Sequence, residues 1–86
     1  MRAVAGRVPA MPSPLPPDHA LAAALRRLRE ERGLAQEALA FRSGVSTGAI
    51  ARIELGQSSP AWVTVRALTE ALDVTLAEFG AAVEAE

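Results

Sequence analysis

The chain has 86 residues, half of them apolar, with nine Arg, no Lys, ten acidic residues, one His, no Cys and a net charge of −1. That length allows one small domain with a marginal core, too thin to hold a deep catalytic cleft. Without Cys there is no disulfide scaffold, zinc finger or thiol nucleophile, and one His makes no multi-His metal site.

Five of the six Pro fall within residues 9–17. They remove N–H donors and push the residues before them out of the α region, so residues 1–17 are predicted to be a disordered arm. The arm lacks the unbroken apolar stretch of a secretory signal. From Asp18 the pattern turns helical, and residues 18–86 are predicted to fold. Asp18 is the N-cap of a first helix with Leu21, Leu25 and Leu28 on one side. Arg26, Arg27, Glu30 and Glu31 take the other side, and Gly33 ends the helix. His19, in the first turn with no ligand near it in sequence, reads as a surface residue.

A second helix is predicted over Ala35–Arg42, carrying Leu39 and bounded by Gly44. Ser46 caps a third over Thr47–Leu55, in which Ile50 and Ile53 face inward, and Gly56 ends it. Ser59 and Pro60 read as the N-cap and first residue of a fourth helix, with Val65, Leu68 and Leu72 inward. Asp73 and Val74 interrupt it, and Thr75 caps a fifth helix carrying Leu76, Phe79 and Val83. No segment alternates at period two, and no apolar run reaches the ~18 residues of a membrane span. The expectation is an all-α, compact five-helix domain in the cytoplasm.

Two short helices joined through a Gly turn form a helix-turn-helix arrangement. Counting from Gln36, the small Ala40 takes the fifth place, where the two helices cross. Gly44 takes the ninth and permits a positive φ in the turn. Ile50 and Ile53, in the fifteenth and eighteenth, bury the second helix of the pair against the first.

On these residues the chain resembles the phage-repressor/Cro-type helix-turn-helix family of bacterial regulators. The matching stretches are LRRLREERGLAQEALAFRSGVS, then TGAIARIELGQSSP, then ALTEALDV followed by TLAEF, together residues 21–80. The resemblance implies a repressor-like DNA-binding domain whose third helix enters the major groove of double-stranded DNA. It makes Gln36 a phosphate contact that steadies the reading helix, and Arg29 and Glu54 a structural ion pair between helices 1 and 3.

Helix geometry then supplies a reading face. With Ile50 and Ile53 inward, Thr47, Gly48, Ala51 and Arg52 point outward, and Ser46 adjoins them. Arg52 has the reach for a bidentate contact to guanine O6 and N7. Gly48 permits close backbone approach, and the Ala51 methyl can meet a thymine methyl. The face is thin, so DNA shape and phosphate positioning are expected to carry part of the specificity. Phosphate contact falls to Gln36, Arg42, Ser58 and Ser59, with Arg2 and Arg7 placing further charge on the arm. Departures from the family pattern are Ala35 for a capping Ser or Thr, Leu55 for Asn, and Gln57–Ser58 for basic residues. Phe41 is apolar where relatives are polar, and lies along a helix edge or marks a partner surface. Trp62 stands for a family Leu and is expected in the core, with an interface role as the second reading.

Charge is segregated. Residues 1–66 hold all nine Arg against Asp18, Glu30, Glu31, Glu37 and Glu54, while residues 67–86 hold only acids. The net value therefore does not argue against an anionic partner. The expected function is a sequence-specific DNA-binding transcriptional regulator on a pseudo-palindromic operator, homodimeric through Leu76, Phe79 and Val83. The rival readings are an antitoxin that binds a toxin and its own promoter, and a protein-interaction module that kept the fold. No acid–base or nucleophile constellation appears, so neither an enzyme nor a cofactor or metal is expected.

Overall fold

Local hydrogen bonding decides where the chain turns helical. In the computed structural model, which describes residues 15–86, the Asp18 carboxylate accepts from the N–H groups of Ala20 and Leu21 at 2.9 and 3.2 Å. This opens α1 (His19–Glu31). The predicted arm lies outside the described residues over 1–14, Arg2 and Arg7 included, and residues 15–18 are irregular. α2 (Gln36–Ser43) ends at Gly44, whose φ of 78° is left-handed and open to glycine at no steric penalty. Ser46 Oγ accepts from Ala49 N–H at 3.1 Å and caps α3 (Thr47–Glu54).

α4 (Trp62–Leu72) starts later than the sequence suggests. Its N-cap is Ala61, with no side-chain cap, and Ser59 and Pro60 belong to the link that precedes it. The reason is that a proline φ near −65° suits an extended link as well as a first helical turn. Asp73 stops α4 at φ 60°, a left-handed position that Asp tolerates better than most residues. Thr75 and Glu78 then form a reciprocal capping box that opens α5 (Leu76–Glu84).

The core joins Leu25, Leu28, Leu34, Leu39, Ile50, Ile53, Leu68, Leu72 and Phe79, so every helix contributes. α2 packs on α3 and α4, and α1 on α3 and α5. Long side chains tie the ends together. Arg27 donates to Glu86 at 2.9 Å and to the Ala82 carbonyl at 3.3 Å, and Arg32 donates to the Leu72 carbonyl. His19 is exposed and lies over Gly56, where an added Cβ would stand 2.7 Å from Nδ1. Among the described residues no helix is long and apolar enough to cross a membrane, and no acidic or His cluster could hold a metal ion.

Two expectations are corrected here. Trp62 is 63% exposed and not in the core. Helical side chains lean toward the N-terminus, so at the first position of α4 the ring extends past the helix end. Phe79 belongs to the monomer's own core and Val83 packs partly buried against it, which removes Phe79 from the strip assigned to a second subunit. An apolar strip on α5 satisfies α1 and α4 first, because they lie across from it in the same chain. Leu76 alone of the three stays exposed.

Candidate nucleic-acid interface

The register of α3 follows from its two isoleucines. Ile50 is fully buried and Ile53 nearly so, three residues apart on the side facing the core. Gly48 and Arg52 consequently stand exposed on the outer side, with Thr47 and Ala51 half-buried beside them. Arg52 Nη1 lies 3.4 Å from the point where a Cβ on Gly48 would sit, so the guanidinium folds back along the helix over the glycine. A Cβ at residue 48 would stand in ordinary contact with that guanidinium, so the glycine is not required for it. Ser46 Oγ accepts its own helix cap bond, which leaves one lone pair and the hydroxyl proton for any outside contact.

What holds this helix at its angle is a buried charge network. Arg29 Nε and Nη2 donate to Glu54 Oε2 and Oε1 at 2.7 and 2.9 Å, a bidentate pair. Arg29 Nη1 donates to the Leu34 carbonyl at 2.7 Å, and Gln36 Nε2 donates to Glu54 Oε1 at 3.0 Å. The Arg29 and Glu54 side chains are only 11% and 3% exposed. The hydrogen-bonded Glu54 carboxylate holds Arg29 protonated above its ordinary value, against the opposing effect of burial. One network therefore fixes α1, the start of α2 and the end of α3. Gln36, expected at a phosphate, is in this structure a third member of it; sequence spacing alone gives no sign of this bond.

The donors able to meet a phosphate lie on the elements before and after α3 in the chain. Arg42 is exposed in the last turn of α2, Ser59 is exposed and Ser58 half-buried in the link after α3. α2 and α4 are the two helices without a side-chain cap, while α1, α3 and α5 each have one. Their first N–H groups stay available to an anion, as the free donors at a helix start do. The sequence signals the free start of α2 through Ala35, but hides that of α4 behind Ser59–Pro60. Phe41, 91% exposed, and Leu55, 67% exposed, add apolar surface.

Comparison with known proteins places this geometry. The profile of the helix-turn-helix domain family matches residues 20–82. An uncharacterized HTH-type transcriptional regulator, y4dJ, of Sinorhizobium fredii is 40% identical over 52 residues, 60% of this chain and 68% of that protein. Among solved structures, the restriction-modification controller protein C.AhdI from Aeromonas hydrophila superimposes with a TM-score of 0.69 at 36% identity. That match covers 71% of this chain and 92% of the other. The clp gene regulator ClgR from C. glutamicum superimposes with a TM-score of 0.74 at 28% identity, covering 79% and 88%. A family profile that matches residues 20–82, most of the described residues, makes this chain a member of the helix-turn-helix domain family.

Proposed function

We propose that the chain is a sequence-specific double-stranded DNA-binding transcriptional regulator that sets α3 into the major groove of a pseudo-palindromic operator as a homodimer. The observation that carries this is the exposed side of α3, with Arg52 outward on a helix locked from behind by Ile50, Ile53 and the Arg29–Glu54–Gln36 network. In this reading Arg52 reads a guanine, Gly48 and Ala51 admit the backbone and a thymine methyl, and Ser46 and Thr47 reach the groove edge. Arg42, Ser58, Ser59, the amide proton of Gln36 not given to Glu54 and the free N–H groups of α2 and α4 hold phosphates and set the register. Two-fold symmetry would put the reading helices about 34 Å apart, on half-sites ~10–10.5 bp from centre to centre. The regulators among the relatives favour this over an antitoxin or an interaction module.

Selection of bound fragments from random DNA tests the reading directly: a regulator enriches one motif, and enrichment of nothing overturns it. On the selected site, Arg52→Ala should cost ~1–3 kcal/mol per half-site and relax preference at one base pair. Arg42→Ala should weaken selected and scrambled duplexes alike. Equal losses on both duplexes for Arg52→Ala would remove it from base reading.

A further inference from the structure

The outer side of α4 carries a surface that neither the core nor the α3 face uses. Val63, Arg66, Ala67 and Glu70 fall at i, i+3, i+4 and i+7, hence on one side of the helix, and line a shallow groove of about 280 Å³. Val63 is 72% exposed, while Leu68 and Leu72 on the opposite side are buried. Trp62, also exposed, stands four residues before Arg66, one turn earlier on the same side of the helix.

The charges on this face are not closed on each other. Arg26–Glu30 and Arg27–Glu31 on α1 have the same four-residue spacing in the same order, and both pairs close, at 3.2 and 3.4 Å. On α4 neither Arg66 nor Glu70 has a salt-bridge partner among the described residues. A cation and an anion one helical turn apart, flanked by exposed apolar side chains and a small Ala, make a self-complementary surface. Turned about a two-fold axis, it presents an anion to its own cation and a cation to its own anion.

We propose that this face docks on the same face of a second copy, α4 crossing its counterpart in antiparallel sense near Ala67. In such an isologous contact, Arg66 meeting the partner's Glu70 is repeated by symmetry as Glu70 meeting the partner's Arg66. The Ala67 methyl at the crossing lets the two helices approach to roughly 8–10 Å between axes. Val63 and Trp62 of each copy then cover the flanks of the charge pairs and exclude water from them, as aromatic and aliphatic anchors do at interfaces. A partner of other chemistry would have to bring this charge order and spacing independently; a second copy has them by identity. The proposal rests on the homodimer reading above and gives it a surface.

Sedimentation of the full chain over a concentration series tests it, comparing the original sequence with Arg66→Glu, Glu70→Arg and the double swap. Each single swap sets two like-charge contacts across the axis and should weaken dimerisation by about tenfold or more. The double swap restores both contacts and should return the constant to within about threefold of the original. Val63→Ser, which leaves the charges alone, should also weaken the dimer. All three substituted positions lie on the outer side of α4, so melting curves should show all four variants folded. A dimer indifferent to the single swaps, or not recovered by the double swap, overturns this face and leaves the dimer reading standing. Monomer at every concentration, free and on the selected duplex, overturns both.

Discussion

Arg29→Ala removes one half of the network that joins α1 to α3, and the structure fixes how much that should matter. Glu54 accepts three hydrogen bonds, two from Arg29 and one from Gln36, with its side chain 3% exposed. Losing Arg29 strands that carboxylate in a nearly dry site with one neutral donor, which costs about 3–5 kcal/mol. A domain of this size has ~5–15 kcal/mol in total, so the variant should be partly unfolded at moderate temperature. The apolar double replacement Arg29→Met with Glu54→Leu buries no charge; it leaves the Gln36 amide and the Leu34 carbonyl short of a partner, about 1–3 kcal/mol each at most. A denaturant titration followed by helical circular dichroism should therefore show strong coupling, the double variant falling well short of the sum of the singles. Because Arg29 is held above its ordinary pKa, its contribution is complete at all lower pH and is lost only in strong alkali. The Arg29 part of the stability should accordingly be flat across neutral pH. A loss below ~1 kcal/mol for Arg29→Ala, or an additive cycle, would show that the pair behaves like an exposed one and does not anchor α3.

Three further outcomes are expected. Affinity for the selected operator should fall with salt at a log–log slope of about −4 to −5 per dimer, despite the net charge of −1; a slope near zero in a titration would detach the charge segregation from DNA. Gly48→Ala should raise the melting temperature, by a gain of at most ~1 kcal/mol in helix propensity. It should also weaken operator binding, because a methyl at residue 48 would hold the α3 backbone away from the groove; a variant that gains in both assays would show that close backbone approach is not what the glycine provides. Ala35→Ser should supply the cap α2 lacks and stabilise the fold by ~0.5–2 kcal/mol, and a melting temperature that does not rise would mean the site is already satisfied.

The parts of the fold legible in the sequence are those written in local chemistry. Asp18, Ser46 and Thr75 are capping residues that hydrogen-bond within three positions of themselves, and Gly44 ends α2 by backbone conformation alone. The apolar register of α1 and α3 is equally local, so Leu25, Leu28, Ile50 and Ile53 are buried as their spacing requires. The rest depends on what lies across from a residue. Trp62 is as apolar as the core Leu it replaces in the family pattern, but its burial is decided by where α4 begins. Phe79 carries the same spacing signal whether it meets α1 and α4 or a second subunit. The Arg27–Glu86 and Gln36–Glu54 bonds join residues 59 and 18 apart, and nothing short-range marks them.

The candidate interface shows where local and non-local information meet. Its residues are legible because Ile50 and Ile53 fix the outward side of α3; its strength is not, because that depends on which arginines remain free. Of the seven arginines among the described residues, Arg26, Arg27 and Arg29 are held by acids, and Arg32 by the Leu72 carbonyl. Arg66 lies on the outer side of α4. That leaves Arg42 and Arg52 as the exposed, unpaired cations of the α2–α3 surface. Two cations beside a few neutral donors give a single copy a shallow electrostatic hold on a phosphate backbone. Tethering two such surfaces in one dimer makes the second half-site contact intramolecular, which multiplies affinity without any new contact. On the proposed reading, a face this sparse would make operator binding steeply dependent on dimer formation, and the surface that pairs two copies would weigh on DNA occupancy as much as Arg52.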